Sequence, residues 1–158
     1  MKKYIIILIL ISLTLTGCGI YNLNSFILPD DLEFIQTIEE LDTPEKIGQY
    51  IYNNFTYEAH PYNVLSPYSM WKTKKGDCND ISTFAVFVAN YHGYKTYQVF
   101  FYGDINHAIA VFIEDGQYTY ISDNKYYPID FRENINNYNY YEIYDYEMNL
   151  VKVVHKWK

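Results

Sequence analysis

The stretch KKGDCNDIS, residues 74–82, decides how this chain is organised. Gly76 and Asp77 favour a turn and a cap, and the apolar spacing that follows predicts a helix over 78–92. Cys78 is then in the first turn of a helix, where the helix dipole and the backbone N–H groups favour a thiolate. The acids Asp77 and Asp80 oppose that charge, so a reactive thiol here depends on a nearby imidazolium.

Two later polar residues stand at the ends of predicted strands. His107 opens a buried strand over 107–113, and Asp123 closes the next strand over 118–123. A cysteine, a histidine and an aspartate are the residues needed for a thiol nucleophile, its base and the group that orients the base. Cys78, His107 and Asp123 are therefore the candidate catalytic residues.

The turn between these two strands decides whether His107 and Asp123 share a face of the sheet. If Asp115-Gly116 forms a simple two-residue turn, Asp123 points to the face opposite His107. If a bulge at Gly116 adds one residue, the two side chains become diagonal neighbours on one face. We predict the bulged register.

The remaining patterns predict helices before strands. Two amphipathic helices cover about 30–41 and 43–55, and a long ordered loop over 56–73 leads into the central helix. Strands are expected at 95–102, 107–113, 118–123, 126–129 and 150–157, while 134–149 reads as an insertion or a short helix. This order indicates an α+β fold with an antiparallel sheet.

The first residues form a targeting segment. A basic start is followed by an apolar run over 4–15 and by Leu15-Thr16-Gly17-Cys18. These four residues resemble a bacterial lipobox, which implies cleavage before Cys18 and a lipid on its sulfur. The domains are then a signal peptide at 1–17, a tether at 18–29 and one domain at 30–158, held on the extracytoplasmic side of the cell membrane. An ordinary secretory signal or an uncleaved anchor is the alternative.

Composition excludes several classes of function. With a formal net charge of −7 and no run of more than two basic residues, the chain is a poor candidate for binding nucleic acid. Its four histidines have no metal-ligand spacing, and no glycine-rich phosphate loop is present. We expect no metal and no cofactor. Acylation of Cys18 would leave Cys78 without a second cysteine to pair with, since the chain has only two.

The joint pattern resembles a known family. Gly-Asp-Cys-Asn-Asp at 76–80, His107-Ala108 and Asp123 are similar to the core domain of the transglutaminase-like superfamily, over about residues 43–130. That resemblance implies a papain-like α+β fold, with Cys78 as nucleophile, His107 as base and Asp123 as the orienting group. It also implies thiol acyl chemistry on amides. Nothing in the sequence resembles the acidic calcium loops of the large animal transglutaminases, so we expect no calcium requirement. Ile109 and Asn124-Lys125 depart from the usual family pattern outside these three residues.

The resulting functional hypothesis is a membrane-tethered, cysteine-dependent acyl-transfer enzyme acting on peptide or protein amides, and hydrolysis is the expected reaction. The backbone N–H of Cys78 would hold the oxyanion, with Trp71 or a tyrosine from 57–68 as the second donor. Two alternatives are a crosslinking transglutaminase and a non-catalytic binding module of the same fold. The sequence leaves open whether the acyl acceptor is water or an amine.

Overall fold

The structure is a computed structural model that describes residues 21–61, 63–134 and 136–156, without the side chain of Asn24. The expected signal peptide at 1–17 and the lipidation site Cys18 lie outside the described residues. Within the described ranges, no helix is both long enough and apolar enough to cross a membrane. The element order is helices first and antiparallel strands second, which confirms the predicted α+β class.

The helices begin where short polar side chains can cap them. Asp31, Thr43, Ser66 and Asp77 each accept a hydrogen bond from a backbone N–H of the first turn that follows. The helices are α1 (Leu32–Glu40), α2 (Pro44–Asn54), α3 (Pro67–Thr73), α4 (Cys78–Tyr91) and α5 (Phe131–Asn134). A single turn of 3-10 helix at Leu23–Ser25 precedes them.

The predicted loop over 56–73 is wrong in its second half, because α3 occupies it. Ser66 is the N-cap and Pro67 takes the first helical position, where its missing N–H costs no hydrogen bond. The helix is only seven residues long, too short for an apolar period to stand out. Its last turn leads through Lys74, in the left-handed conformation, into the stretch before Cys78.

Six of the strands form one antiparallel sheet: β3 (Lys95–Tyr102), β4 (His107–Glu114), β5 (Gln117–Ser122), β6 (Lys125–Tyr127), β7 (Tyr140–Asp145) and β8 (Leu150–His155). Their order across the sheet is β6-β5-β4-β3-β7-β8. The two-residue strands β1 (Thr56–Tyr57) and β2 (Lys75–Gly76) pair in parallel beside the start of α4. The chain turns sharply from β2 into the helix that carries Cys78.

The segment 134–149 is not a helical insertion. It supplies β7, which pairs with β3 in the interior of the sheet. Its side chains alternate weakly, since only Tyr141 is fully buried and the other strand residues are half-buried. A strand of tyrosines with so little contrast between its two faces has no clear period-two signal in the sequence.

The core has two parts, one on each face of the sheet. Helix α4 is buried over most of its surface and packs between the other helices and one face of the sheet. On the opposite face, side chains such as Val99, Val111 and Tyr141 form a second cluster with Phe131 of α5. The sheet is therefore covered on both faces near its centre.

The predicted tether is not free of the domain. From the first described residues onward, Leu23 is fully buried and Phe26 packs edge-on against Phe87 of α4, with ring centroids 5.0 Å apart. The folded unit thus begins before the predicted boundary at residue 30. The sequence did not predict this packing, because the segment is short and its apolar residues follow neither a helical nor a strand period.

Candidate active site

Cys78 is the first residue of the most buried helix. The Asp77 side chain accepts hydrogen bonds from the N–H of Asn79 at 2.8 Å and of Asp80 at 3.3 Å. In return, Asp80 Oδ2 accepts from the N–H of Asp77 at 2.8 Å, which completes a capping box around the cysteine. The predicted position of Cys78 is confirmed: its half-buried thiol lies at the positive end of the helix dipole.

The glycine before this cap leaves room for the aspartate. A Cβ at Gly76 would lie 2.6 Å from Asp80 Oδ2 and 2.6 Å from Met70 Sδ. No side chain fits at such distances, so Gly76 is the residue that lets the Asp80 carboxylate turn back against the chain. The Gly-Asp-Cys sequence is therefore needed for packing as well as for the turn.

Asp80 is the centre of a buried polar network that the sequence did not reveal. Its carboxylate is fully buried and also accepts from the N–H of Leu65 at 2.7 Å and contacts His60 Nε2 at 2.6 Å. That hydrogen bond is the main cause of the raised pKa of His60. The network ties the loop after β1 to the helix start, and protonated His60 offsets one of the two acids that oppose a Cys78 thiolate. His60 and Asp80 are twenty residues apart in the chain, so no local sequence pattern indicates that they pair.

Tyr57 of β1 lies beside the cysteine. It pairs in parallel with Gly76, and the next residue, Glu58, donates its N–H to the Gly76 carbonyl at 2.8 Å. Burial raises the pKa of Tyr57, and the negative charges of Cys78, Asp77 and Asp123 raise it further. The phenol is thus within electrostatic reach of both Cys78 and Asp123, and it keeps its proton at neutral pH.

The predicted bulged register between β4 and β5 is wrong. Glu114 pairs with Gln117 across a two-residue turn in which Asp115 and Gly116 both have positive φ, the type I′ geometry. This hairpin turn matches the twist of the strands without an extra residue. Ser122, not Asp123, is consequently the diagonal neighbour of His107 on one face, and His107 Nε2 lies 2.8 Å from Ser122 Oγ.

Asp123 reaches the histidine from a second tight turn. Asp123 and Asn124 both have positive φ and connect Ser122 to its strand partner Lys125. Because Asp123 is in the turn rather than in the strand, its Oδ1 lies 3.8 Å from His107 Nε2, and its Oδ2 lies 3.4 Å from Ser122 Oγ. The carboxylate is close enough to act by charge, while Ser122 makes the direct contact with the imidazole.

The environment of His107 favours the neutral ring. Burial lowers the pKa of His107 below its ordinary value of 6.5, and the charge of Asp123 opposes that shift only in part. A neutral imidazole can take a proton from a thiol, which is what a general base requires. The arrangement is thus suited to proton transfer near neutral pH.

Trp71 is not at the site as an oxyanion donor. Its indole Nε1 is buried and the ring packs in the helical core against Phe34 and Tyr68. The ammonium of Lys74 lies 4.3 Å from the indole centroid, and burial lowers the pKa of Lys74 to about 8. A donor for a substrate oxygen must face the cleft, so the indole cannot serve. Its place in α3, which the sequence did not predict, explains the error.

Among the residues that the structure describes, one group of side chains could hold a metal ion. His60, Asp77 and Asp80 each offer a ligand atom, and these atoms lie within 4.8 Å of one another. The Asp80 oxygens already accept from two backbone N–H groups and contact His60. The same atoms form the cap and the ion pair described above, and the contacts of Asp80 account for its burial without an ion.

Similarity to a protein-family profile identifies the family of this chain. The profile of the transglutaminase-like superfamily matches residues 34–131, more than half of the chain. The chain belongs to the transglutaminase-like superfamily. The matched residues include α4 with Cys78, the start of β4 with His107, and Asp123, so the resemblance seen in the sequence is confirmed.

Solved structures of the same fold include LapG from Legionella pneumophila. One LapG structure is 14% identical, with a TM-score of 0.54, and the match covers 78% of this chain and 74% of that one. The calcium-bound form has a TM-score of 0.53 over the same shares, again at 14% identity. The calcium-depleted form, treated with EGTA, has a TM-score of 0.52 at 14% identity, over 80% of this chain and 74% of that one. At this identity the likeness shows the fold alone. Curated proteins give no match to the sequence.

Proposed function

We propose that this transglutaminase-like protein is a cysteine-dependent acyl-transfer enzyme that hydrolyses peptide or protein amides. Cys78 is the nucleophile, His107 the general base, and Ser122 and Asp123 orient the imidazole. The observation that carries the proposal is the placement of His107, 2.8 Å from Ser122 and 3.8 Å from Asp123, in a chain whose one described cysteine opens the buried helix. Superfamily membership supports acyl chemistry on amides.

The reaction has two halves. The Cys78 thiol gives its proton to His107, and its sulfur bonds to the amide carbonyl carbon. The C–N bond then breaks, His107 returns the proton to the leaving amine, and a thioester remains on Cys78. Water attacks this thioester with His107 as base, which releases a carboxylic acid and restores the thiol.

The oxyanion that forms when the Cys78 sulfur attacks the carbonyl carbon is stabilised by two hydrogen-bond donors. The backbone N–H of Cys78 belongs to the first turn, whose N–H groups the helical ladder does not use. The phenol of Tyr57 replaces Trp71 as the second donor, because it is within electrostatic reach of Cys78 and stays protonated at neutral pH. Tyr57 comes from the 57–68 segment that the sequence offered as the other source of a donor.

The exposure of the site supports water as the acceptor. The side chain of Asp123 is 74% exposed and that of His107 is 23% exposed. A dilute amine acceptor competes with water only where the cleft excludes water from the thioester. Hydrolysis is therefore the preferred reaction over crosslinking.

The proposal includes a lipid anchor on Cys18, on the strength of the lipobox at 15–18. Mass spectrometry of the protein purified from bacterial membranes should find an N-terminal diacylated cysteine. A Cys18→Ala variant should keep its first residues and lose the lipid mass. A protein that is cleaved at another position and carries no lipid would contradict the proposed anchor.

Thiol labelling tests the catalytic proposal. The full chain with Cys18→Ala, kept in detergent, has Cys78 as its sole cysteine and is treated with iodoacetamide from pH 5 to 9. Labelling at pH 6 should be faster than that of glutathione, and His107→Ala should slow it. Labelling no faster than glutathione and unchanged by His107→Ala would favour the non-catalytic binding module.

A further inference from the structure

A small pocket, part polar and part apolar, opens on the histidine side of the site. Its volume is about 260 Å³, and it is lined by Phe101, Ile105, His107, Ser122, Asp123, Asn134, Asn136 and Asn137. We call it the asparagine pocket. It is smaller than the range of about 300–1,000 Å³ typical of pockets for whole small ligands, so its size fits one side chain of a longer substrate.

The asparagines are held there by the sheet. The N–H of Asn139 donates to the Tyr102 carbonyl at 2.7 Å, and a Cβ on Gly103 would lie 2.9 Å from Tyr138 Cα, so the loop packs tightly on the end of β3. The Asn134 amide donates to the Tyr120 hydroxyl at 2.7 Å. The far wall of the pocket is therefore built by specific contacts.

The polar part of the lining carries negative charge and neutral amides, while Phe101 and Ile105 add apolar surface. Asp123 is an exposed carboxylate, and the lowered pKa of His107 leaves the imidazole neutral at pH 7 and above. Amide oxygens add acceptors. Lys156 donates its ammonium to the Asn136 carbonyl and lies 5.2 Å from the Tyr138 ring centroid, so this cation is already engaged. A lysine or arginine suits this lining better than an acid, because its apolar stem can lie on Phe101 and Ile105 while its charged N–H donors face Asp123 and the amide oxygens. A purely apolar side chain would leave those acceptors without a partner.

The role of His107 as the base indicates which part of the substrate enters the asparagine pocket. His107 protonates the leaving amine, so the groups beside its ring lie next to the leaving half of the amide. We infer that the asparagine pocket is the leaving-group subsite and that it selects a lysine or arginine immediately after the scissile bond. The inference rests on the proposed function of Cys78 and His107.

Acyl partitioning tests the subsite without knowledge of the natural substrate. p-Nitrophenyl acetate acetylates the Cys78 sulfur and releases p-nitrophenol. An amino acid amide then attacks the thioester, its α-amine losing a proton to His107 as the new C–N bond forms and the thiol is restored. By microscopic reversibility, that amine binds where the leaving amine departed. At pH 8 about half or more of the α-amine is neutral, while the lysine ε-amine stays charged.

The comparison uses lysinamide, norleucinamide and glutamic acid α-amide, with the acetylated products counted by mass spectrometry. The full chain with Cys18→Ala should prefer lysinamide over norleucinamide by about two- to fivefold, the effect of an exposed ion pair. Asn136→Lys should reduce that preference to about one and improve the glutamic acid amide. Asn53→Lys adds the same charge on α2, outside the pocket, and should leave the preference intact.

The outcomes separate the two proposals. Absence of the p-nitrophenol burst, or a burst that survives Cys78→Ser, overturns the proposed function and this inference with it. A burst that needs Cys78 but gives equal use of the three amides overturns the subsite alone. Equal effects of Asn136→Lys and Asn53→Lys would also overturn it, since a general change in net charge would then explain both.

Discussion

The contact of His107 with Ser122 is the shortest polar contact of the candidate base. At 2.8 Å it is a hydrogen bond, whereas the 3.8 Å separation from Asp123 is too long for one. The hydroxyl lies between the ring and the carboxylate, so it holds the ring while the carboxylate supplies charge. Ser122 is therefore a positioning residue that was not among the residues predicted from sequence.

Ser122→Ala should slow the labelling of Cys78 by iodoacetamide at pH 7 by about fivefold, the effect of losing one hydrogen bond of about 1 kcal/mol. Asp123→Asn should slow it less, because an ion pair with a mostly exposed carboxylate contributes little. Ser25→Ala, which removes an exposed hydroxyl bonded to the Asn22 carbonyl, is the control. A large effect of Asp123→Asn with none from Ser122→Ala would assign the direct contact to Asp123.

His60 and His107 should titrate on opposite sides of 6.5. The hydrogen bond to Asp80 raises the pKa of His60, while burial lowers the pKa of His107. An NMR titration of the imidazole protons in a Cys78→Ala chain can follow both. Asp123→Asn should lower the pKa of His107 further, because it removes the charge that favours the protonated ring. An upward shift in that variant would contradict the assignment.

At the scale of the elements, the start of α4 depends on the buried carboxylate of Asp80. Asp80→Asn keeps the shape of the side chain but leaves protonated His60 beside a neutral amide. Breaking a buried ion pair from one side typically costs about 3 kcal/mol or more. Urea unfolding at pH 6 should show that loss. Asp42→Asn removes a carboxylate from the exposed pair with Lys46 and should change the free energy of unfolding by less than about 1 kcal/mol.

The same pair makes stability depend on pH. Because the pKa of His60 is raised in the folded state, its stabilisation is fully present below the unfolded value of 6.5 and is lost as pH rises through the folded value. The difference in unfolding free energy between the wild type and His60→Gln should therefore shrink from pH 6 towards pH 9. A difference that stays constant or grows with pH would show that His60 contributes by packing alone.

Across the whole molecule, the two edges of the sheet differ in their protection. In the described chain, β8 is an edge strand with Leu150, Val151 and Val153 exposed. The other edge, β6, has three residues and packs on α2, where Tyr126 lies against Gly48. Lysine on an exposed edge hinders pairing with another chain, which gives Lys152 a protective position.

Lys152→Val should increase self-association, because it removes the charge from a strand that already exposes aliphatic side chains. Size-exclusion chromatography with light scattering at increasing concentration measures this. Lys125→Val on the short covered edge is the matched control and should remain monomeric to higher concentration. Equal behaviour of the two variants would show that edge exposure is not the deciding feature.

The sequence by itself determined the elements whose signals are local. Capping residues and apolar spacing predicted α4 with Cys78 at its start, and turn residues between β-branched and aromatic runs predicted β3, β4 and β5. Together with the superfamily resemblance, these patterns were enough for the α+β fold. They succeeded because each one depends on residues within a few positions of one another.

Tertiary structure alone decided which side chains meet at the site. A bulged turn and a two-residue turn shift the pairing of β4 with β5 by one residue. The two-residue type I′ turn at Asp115-Gly116 places Ser122, and not Asp123, on the same face as His107. The pairing of His60 with Asp80 and the burial of the Trp71 indole likewise depend on how distant elements pack. Such contacts join residues far apart in the chain, so the free energy of packing selects them and local preference does not.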